Sequence, residues 1–162
     1  MLNVPGVVGG AGALGPLTAP ASASFAATLN GSDLQPTYTL PLTVPDTRNG
    51  SSTVGWNLTI TSTQLSTSGA TPRTLASTAS TITAVSTACQ SGCTTNPINA
   101  IGYPLTVPAG ATAPSPVKFF NAAANTGIGT FTSTPTIRVT LPADTYAGTY
   151  TSTLITTLVS GP

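Results

Sequence analysis

The chain has 162 residues, of which four are Lys or Arg, three are Asp and none is Glu or His, so its formal net charge is +1. Four scattered basic residues cannot follow a phosphate backbone, which excludes nucleic acid as a partner, and no stretch approaches the roughly 18 consecutive apolar residues of a membrane span. Because the chain has no His and its only carboxylates, Asp33, Asp46 and Asp144, lie in separate turns, we expect no enzyme activity, no metal and no cofactor.

The surface is predicted to consist of hydroxyl groups rather than charges. Ser and Thr together occupy 49 positions, and 40% of the residues are hydrophobic. Disordered chains usually combine low hydrophobicity with high net charge, so this composition indicates a folded domain. A net charge near zero promotes association, which suits a subunit of an assembly. We therefore expect an extracellular protein of a cell surface or cell wall.

Residues 1–17, MLNVPGVVGGAGALGPL, are predicted to form an extended segment in front of a single domain that spans residues 18–162. Pro5 and the glycines disfavour a helix, and no positive charge precedes the apolar residues as it would in a signal peptide. Such a segment can pair with a sheet edge of its own domain or add a strand to a neighbouring subunit. The candidate subunit contacts in the second case are Val4, Val7, Val8 and Leu14.

Apolar residues alternate with Thr, Gly and Asn along several stretches, and this period of two predicts β-strands with one apolar and one polar face. The apolar faces comprise Tyr38, Leu40, Leu42 and Val44; Val54, Trp56, Leu58 and Ile60; Ile101, Tyr103, Leu105 and Val107; and Ile137, Val139 and Leu141. Clusters of Pro, Gly and Asn separate these stretches. The pattern predicts an all-β fold, an antiparallel β-sandwich of the Ig-like or Greek-key type.

Three other stretches are less regular. TLASTASTITAV favours a strand because of its Thr and Val content, and FFNAAANTGIG (119–129) is interpreted as a helical turn or an irregular loop. The end of the chain is predicted to form a hairpin, in which IRVTLP and TYTSTLITTLV flank the turn ADTYAG. In its second strand Leu154 and Leu158 face one side and Ile155 and Val159 the other, so we expect both faces to be covered.

Cys89 and Cys93 lie in the turn TACQSGCTT. Their spacing favours a disulfide that closes a tight loop, with two free thiols as the alternative. A metal site is disfavoured because a structural zinc site takes about four ligands. An oxidised pair agrees with secretion.

Two blocks of the sequence resemble WxL domains, a family of Gram-positive cell-surface domains named for two W-x-L motifs. VPDTRNGSSTVGWNLTIT (44–61) is similar to the family's D-T-R-G…G-W-x-L-T block. NTGIGTF (125–131) and IRVTLPADTYAGTYTSTLITTLVSGP (137–162) are similar to its closing G-x-G-T-W stretch and P-x-x-x-x-A-G-T-Y-T hairpin. The first motif is Trp56-Asn57-Leu58. The second falls at Phe131-Thr132-Ser133, where Phe replaces Trp and Ser replaces Leu.

The resemblance implies non-covalent binding to peptidoglycan, and Trp56, Leu58, Phe131, Asp46 and Arg48 are the candidate residues for contact with the wall or a partner. Trp56 is interpreted first as a core anchor, because it alternates with other apolar residues; a ring stacked on a glycan is the alternative. Asp46 and Arg48 lie at a strand end. They are interpreted as an ion pair that fixes the turn, with ligand recognition as the alternative.

Three Asn residues begin N-x-S/T sequons, and they are candidate glycosylation sites: Asn30, Asn49 and Asn57. Sequons arise often by chance in a chain this rich in Thr. The strand pattern places Asn57 on the polar face.

Two functions remain open. The first is a structural subunit of a surface filament or layer, whose partners are copies of itself joined head to tail through the N-terminal segment. The second is a wall-binding module whose partner is peptidoglycan. The two differ in what they predict for the isolated protein, since the first polymerises and the second binds purified wall.

Overall fold

The computed structural model describes residues 12–48 and 54–162, and every regular element in these ranges is a β-strand. The prediction of an all-β protein is confirmed. In chain order the strands are β1 (Thr37–Thr39), β2 (Leu42–Asp46), β3 (Trp56–Thr63), β4 (Ser66–Thr67), β5 (Ser80–Thr95), β6 (Leu105–Thr106), β7 (Ala109–Gly110), β8 (Val117–Ala122), β9 (Ile128–Val139), β10 (Tyr150–Thr151) and β11 (Leu154–Ser160).

Strand β9 is the centre of the first sheet. One of its edges pairs antiparallel with β5 along the whole strand. Its other edge pairs with β2 and, further along, with β1. The short β6 pairs with β5 and completes the five-stranded sheet.

Strand β3 is the centre of the second sheet, which has four strands. It pairs antiparallel with β11 on one edge and with β8 on the other. The short β7 continues that second edge in a parallel pairing. Strands β4 and β10 form a separate two-stranded ribbon.

The two sheets pack face to face around one main core, and the predicted β-sandwich is therefore present. Residues of both sheets belong to this core: Leu42, Val44, Ile82 and Ile137 from the first, and Trp56, Leu58, Ile60, Phe119, Phe120 and Ala122 from the second. Burial of a large apolar side chain contributes about 1.5–3 kcal/mol to folding. The alternation read from the sequence thus supplies the inward faces of both sheets.

The closing hairpin predicted from the sequence does not form. Strand β9 lies in the first sheet and β11 in the second, and residues 140–149 connect β9 to β10, which pairs with β4. The reason is that both edges of β9 are already occupied, by β5 on one side and by β1 and β2 on the other. The returning chain pairs instead with β3.

Three other local predictions need correction. In residues 101–107 the side chains alternate in burial, but only β6 forms a ladder. The segment 119–129 contains no helix, since Phe119–Ala122 lie in β8 and a turn with Asn125 at φ 63° leads into β9. Ile155 and Val159 are 46% and 41% exposed, so the outer face of β11 is not covered by the described residues.

The polar face of β3 is less exposed than the sequence suggests. Asn57 and Thr61 are both buried. The Asn57 amide donates to the carbonyl of Gly161 at 2.6 Å, and the Thr61 hydroxyl donates to the carbonyl of Pro114 at 2.8 Å. Loops that cross this face therefore satisfy the polar groups that the alternation assigns to solvent.

Residues 13–18 of the chain add a strand to their own domain. Leu14 and Thr18 bridge antiparallel to Asp46 and Thr43 of β2, and the backbones of Thr18 and Thr43 exchange two hydrogen bonds. Leu14 and Leu17 pack against the main core. The other three predicted subunit contacts, Val4, Val7 and Val8, lie outside the described residues.

Stability should be level across neutral pH and fall in alkali. Burial raises the pKa of Tyr38 and of Tyr103 above 10.0, and for Tyr103 this outweighs the opposing effect of its hydrogen bond with Asn99. Above pH ~10 the unfolded chain loses these protons first, so stability is present below that pH and is lost as the pH rises towards the folded-state pKa. Urea midpoints between about pH 6 and 11 would measure this. Tyr38→Phe should reduce the alkaline slope; an unchanged slope in both Tyr38→Phe and Tyr103→Phe contradicts the assignment.

Candidate functional site

Both stretches that resemble W-x-L motifs lie on the central strand of a sheet. Trp56 and Leu58 point inward from β3, and Phe131 and Ser133 point inward from β9; each is at most 1% exposed. Because side chains on a strand alternate between faces, the spacing of two residues puts both motif positions on the same inner face. The two motifs therefore supply core positions, one pair from each sheet.

The Trp56 ring is fixed by packing and by one hydrogen bond. Its indole N–H donates to the carbonyl of Gly127 at 3.0 Å, and its ring lies 5.7 Å from the ring of Phe120. Gly127 has φ 72°, and a Cβ at this position would lie 2.8 Å from Nε1 of Trp56. Only glycine fits this approach without a shift of the ring or of the turn.

A glycan cannot stack on Trp56 in this fold, because the ring is 0% exposed. The same holds for Leu58 and Phe131, which have at most 1% of their surface exposed. The alternative reading of these residues as a contact surface is therefore wrong. They act as packing groups, and Trp56 is a core anchor.

Cys89 and Cys93 form the predicted disulfide. It closes a bulge in β5, where Cys89 opposes Phe131 and Thr95 opposes Ile128, so β5 has three more residues than β9 between these two pairs. The bulge lies directly on Gly129, which has φ 123° and whose Cβ would come within 2.5 Å of the Cα of Cys93. The second glycine of the G-x-G stretch thus allows the disulfide loop to pack on β9.

Asp46 and Arg48 form a bidentate ion pair at the end of β2. Nε and Nη2 of Arg48 each donate to one carboxylate oxygen of Asp46 at 2.8 Å. Nη2 also donates to the carbonyl of Gly55 at 3.1 Å, and Nη1 donates to the hydroxyl of Ser160 at 3.0 Å. Arg48 therefore connects β2 of the first sheet to the start of β3 and the end of β11 in the second sheet.

The electrostatics of this pair favour a structural role. Asp46 is 1% exposed, whereas the side chain of Arg48 is 17% exposed. The hydrogen bond to Asp46 raises the pKa of Arg48, against the smaller opposing effect of burial. Since both carboxylate oxygens of Asp46 are bonded to Arg48, the geometry favours the interpretation of the pair as a fixed turn.

An open cleft of about 410 Å³ lies between the ion pair and the disulfide loop, with Arg48, Ser91, Gly92 and Thr130 among its lining residues. Ile128 also lines the cleft, and its wall is more apolar than polar. The described residues contain no cluster of three His, Cys, Asp or Glu side chains. Within the same ranges, no helix could cross a bilayer.

The sequence reasoning missed a second surface, next to the β4–β10 ribbon. A groove of about 550 Å³ lies there, with Phe25, Leu29 and Tyr150 in its wall, and the Tyr146 ring on its rim is 58% exposed. The guanidinium carbon of Arg73 lies 4.0 Å from the centre of that ring. The only sequence signal is the aromatic content of TYAGTY, which looks like strand residues.

The three sequons differ in accessibility. Asn30 is exposed, and its side-chain oxygen accepts a hydrogen bond from the amide of Ser32. The side chain of Asn57 is buried and its amide nitrogen is bonded to Gly161, so the folded protein offers no room for a glycan there. That candidate is wrong. Asn49 lies outside the described residues.

Comparisons of the chain with protein-family models, with curated proteins and with solved structures found no match. The resemblance to WxL domains therefore consists of the two sequence blocks alone.

Removal of Arg48 should destabilise the fold strongly. Arg48→Ala leaves the buried Asp46 carboxylate without its partner, which typically costs about 3–5 kcal/mol. The double variant Asp46→Ala/Arg48→Ala should lose less, because no unpaired buried charge remains. Urea unfolding of both variants measures this, with the exposed Arg73→Ala as the control expected to lose less than about 1 kcal/mol. If Arg48→Ala loses no more than Arg73→Ala, the ion pair does not hold the two sheets.

Two glycine variants should separate the stability lost through close packing from the stability lost through backbone conformation. Gly127 and Gly31 have φ 72° and 78°, but a Cβ would meet Trp56 and Ala122 only at Gly127 and would meet nothing within 4 Å at Gly31. Gly31→Ala should cost about 1–2 kcal/mol, from the left-handed conformation alone. Gly127→Ala should cost a further ~1–3 kcal/mol from overpacking. The fluorescence of Trp56 during unfolding measures both, and equal losses would rule out the tight contact.

Proposed function

We propose that the protein is an extracellular structural subunit of a cell-surface filament or layer, in which the N-terminal segment adds a strand to the sheet of a neighbouring copy. The observation that carries the proposal is the pairing of residues 13–18 with the edge of β2. This pairing uses backbone hydrogen bonds and inserts two leucines, and both are equally available to a segment from another molecule.

The backbone of β2 forms hydrogen bonds with the N-terminal strand along its outer edge. The amide of Gly15 donates to the carbonyl of Pro45 at 2.8 Å, and the amide of Thr47 donates to the carbonyl of Ala13 at 2.9 Å. Leu14 and Leu17 are half-buried against the core. None of these contacts depends on a charge or on which molecule supplies the strand.

The connection after this strand is long enough to let the segment leave its own domain. Residues 19–33 lie between Thr18 and the bridge of Leu34 to Leu141, and all of them except Phe25 are exposed. An extended chain spans roughly 3.3 Å per residue, so fifteen residues reach about 50 Å. Exchange of an element through a long, weakly held connection is a low-cost route from a monomer to an assembly.

The surface chemistry supports an extracellular location and association. A disulfide persists in oxidising surroundings. Only 4% of the residues are charged, so copies of the chain repel one another little and their contacts respond little to salt. A surface of Thr and Ser still provides hydrogen-bonding groups for water.

Peptidoglycan binding is the alternative function, and the resemblance to WxL domains is what suggests it. Since the motif residues are buried, a wall-binding surface would have to lie elsewhere, and the exposed Tyr146 ring beside Arg73 is the most suitable group for packing on a sugar. Cysteine cross-linking and co-sedimentation with peptidoglycan distinguish this function from strand exchange.

Cysteines placed at a paired position should report which molecule supplies the strand. Thr18 and Thr43 are hydrogen-bonded partners, and partners of this kind are close enough for a disulfide. Equal amounts of Thr18→Cys and Thr43→Cys, mixed during assembly and oxidised, should give a disulfide-linked heterodimer. The matched control replaces Thr18→Cys by Ala27→Cys, which lies in the exposed connection, and should give little product.

The double variant on one chain completes the test. If only the double variant forms the disulfide, and only within one monomer, the segment stays on its own domain and the proposed exchange is wrong. In that case co-sedimentation of the monomer with purified peptidoglycan would favour the wall-binding function. Polymers seen by electron microscopy that disappear on deletion of residues 1–17 would support the structural subunit.

A further inference from the structure

Strand β11 forms an outer edge of the sheet opposite to the one that contains β2. Strand β11 pairs with β3 through all seven of its residues, and none of the residues in 12–48 and 54–162 pairs with its other side. This edge belongs to a different sheet from the one that receives the N-terminal segment. It therefore represents a second interface, which goes beyond the proposed strand exchange.

The direction of the free backbone groups follows from the ends of the β3–β11 ladder. The amide of Thr63 donates to the carbonyl of Thr153, and the amide of Gly161 donates to the carbonyl of Gly55, both at 2.9 Å. Odd-numbered residues thus direct their backbone groups towards β3. Because these groups alternate along a strand, those of Leu154, Thr156, Leu158 and Ser160 point away from β3.

This edge carries none of the features that normally prevent strands from joining. Natural sheets protect their edges with charged residues, prolines or bulges. The sequence LITTLVS has no charge and no proline, and its register with β3 is regular throughout. In addition, its outward side chains Ile155 and Val159 are 46% and 41% exposed.

We propose that two copies of the chain pair edge to edge through β11, antiparallel and around a two-fold axis at Thr157. In this register Thr157 lies opposite the partner's Thr157, and Ile155 lies opposite the partner's Val159. The residues with free backbone groups also match, since Thr156 lies opposite the partner's Leu158. The edges thus fit one another in hydrogen bonds, in outward side chains and in chain direction.

A second copy fits this edge better than a charged partner does. The four exposed apolar side chains of the pair form one cross-strand cluster on the outer face, and apolar cross-strand pairs stabilise a sheet. No charge on β11 opposes its own copy across the axis. A two-fold contact of this kind is closed, so by itself it gives a dimer.

A single cysteine at the axis tests the register. Thr157 and its counterpart form a non-hydrogen-bonded pair, whose Cα atoms are about 4.5 Å apart, which suits a disulfide. Thr157→Cys should therefore give a disulfide-linked dimer under mild oxidation. Thr153→Cys is the matched control, because Thr153 is equally exposed but lies about 27 Å from its counterpart in this register. Equal linkage of the two variants, or none at Thr157, overturns the proposal.

A charge on the edge tests the interface without a cysteine. Val159→Lys puts two lysines on the paired edges and should abolish the dimer in sedimentation velocity, while circular dichroism shows an unchanged fold. Val54→Lys is the control, since Val54 is 52% exposed but lies outside β11. A dimer that survives Val159→Lys contradicts the proposal.

Deletion of residues 1–11 separates the possible occupants of the edge. Linkage of Thr157→Cys that appears only after this deletion would show that the chain covers its own edge, and the proposal would fail. Failure here leaves the Thr18–Thr43 experiment unaffected, because that experiment probes the edge of β2. Linkage at Thr157 without a Thr18–Thr43 heterodimer would support the dimer through β11 and contradict the strand exchange.

Discussion

The structure depends on strand ladders and apolar inner faces in a chain that has almost no charges to organise it. Inward side chains from β3 and β9 close the core, and the Trp56 hydrogen bond to Gly127 ties a central strand to the turn that enters β9. A charged pair contributes at the end of β2, where Arg48 connects the two sheets through Asp46, Gly55 and Ser160. The fold therefore draws its specificity from alternation and from glycines at close contacts, and only locally from an ion pair.

The scarcity of charges also leaves the sheet edges with little to prevent them from pairing with other strands. Sheets usually keep their edges apart with charges or prolines, and this chain has seven charged residues in 162 positions. One edge, that of β2, accepts the N-terminal strand. Another edge, that of β11, presents an uncharged strand with exposed Ile155 and Val159. We propose that such edges form contacts between copies of the chain.

Sequence reasoning reached the fold class, the inward faces of most strands and the disulfide, because each depends on local spacing. It failed where the pairing partner of a strand depends on which strand edge is still unpaired. The hairpin of β9 with β11 is locally plausible, but β5, β1 and β2 occupy β9. The same limit explains Asn57, whose polar face becomes buried only because the C-terminal end of the chain crosses it. The resemblance suggests a binding role for the motif residues. Their burial, which the sequence does not show, places them in the core instead.

The central claim is that copies of this chain associate through strand edges rather than through charges. Sedimentation equilibrium of the native protein over a wide concentration range, in low salt and in 1 M NaCl, tests it most directly, since a Debye length of about 3 Å at ~1 M screens surface charges. The account predicts association that increases with concentration and is the same at both salt concentrations. A protein that stays monomeric at every concentration, or whose assemblies dissolve in salt, would contradict it.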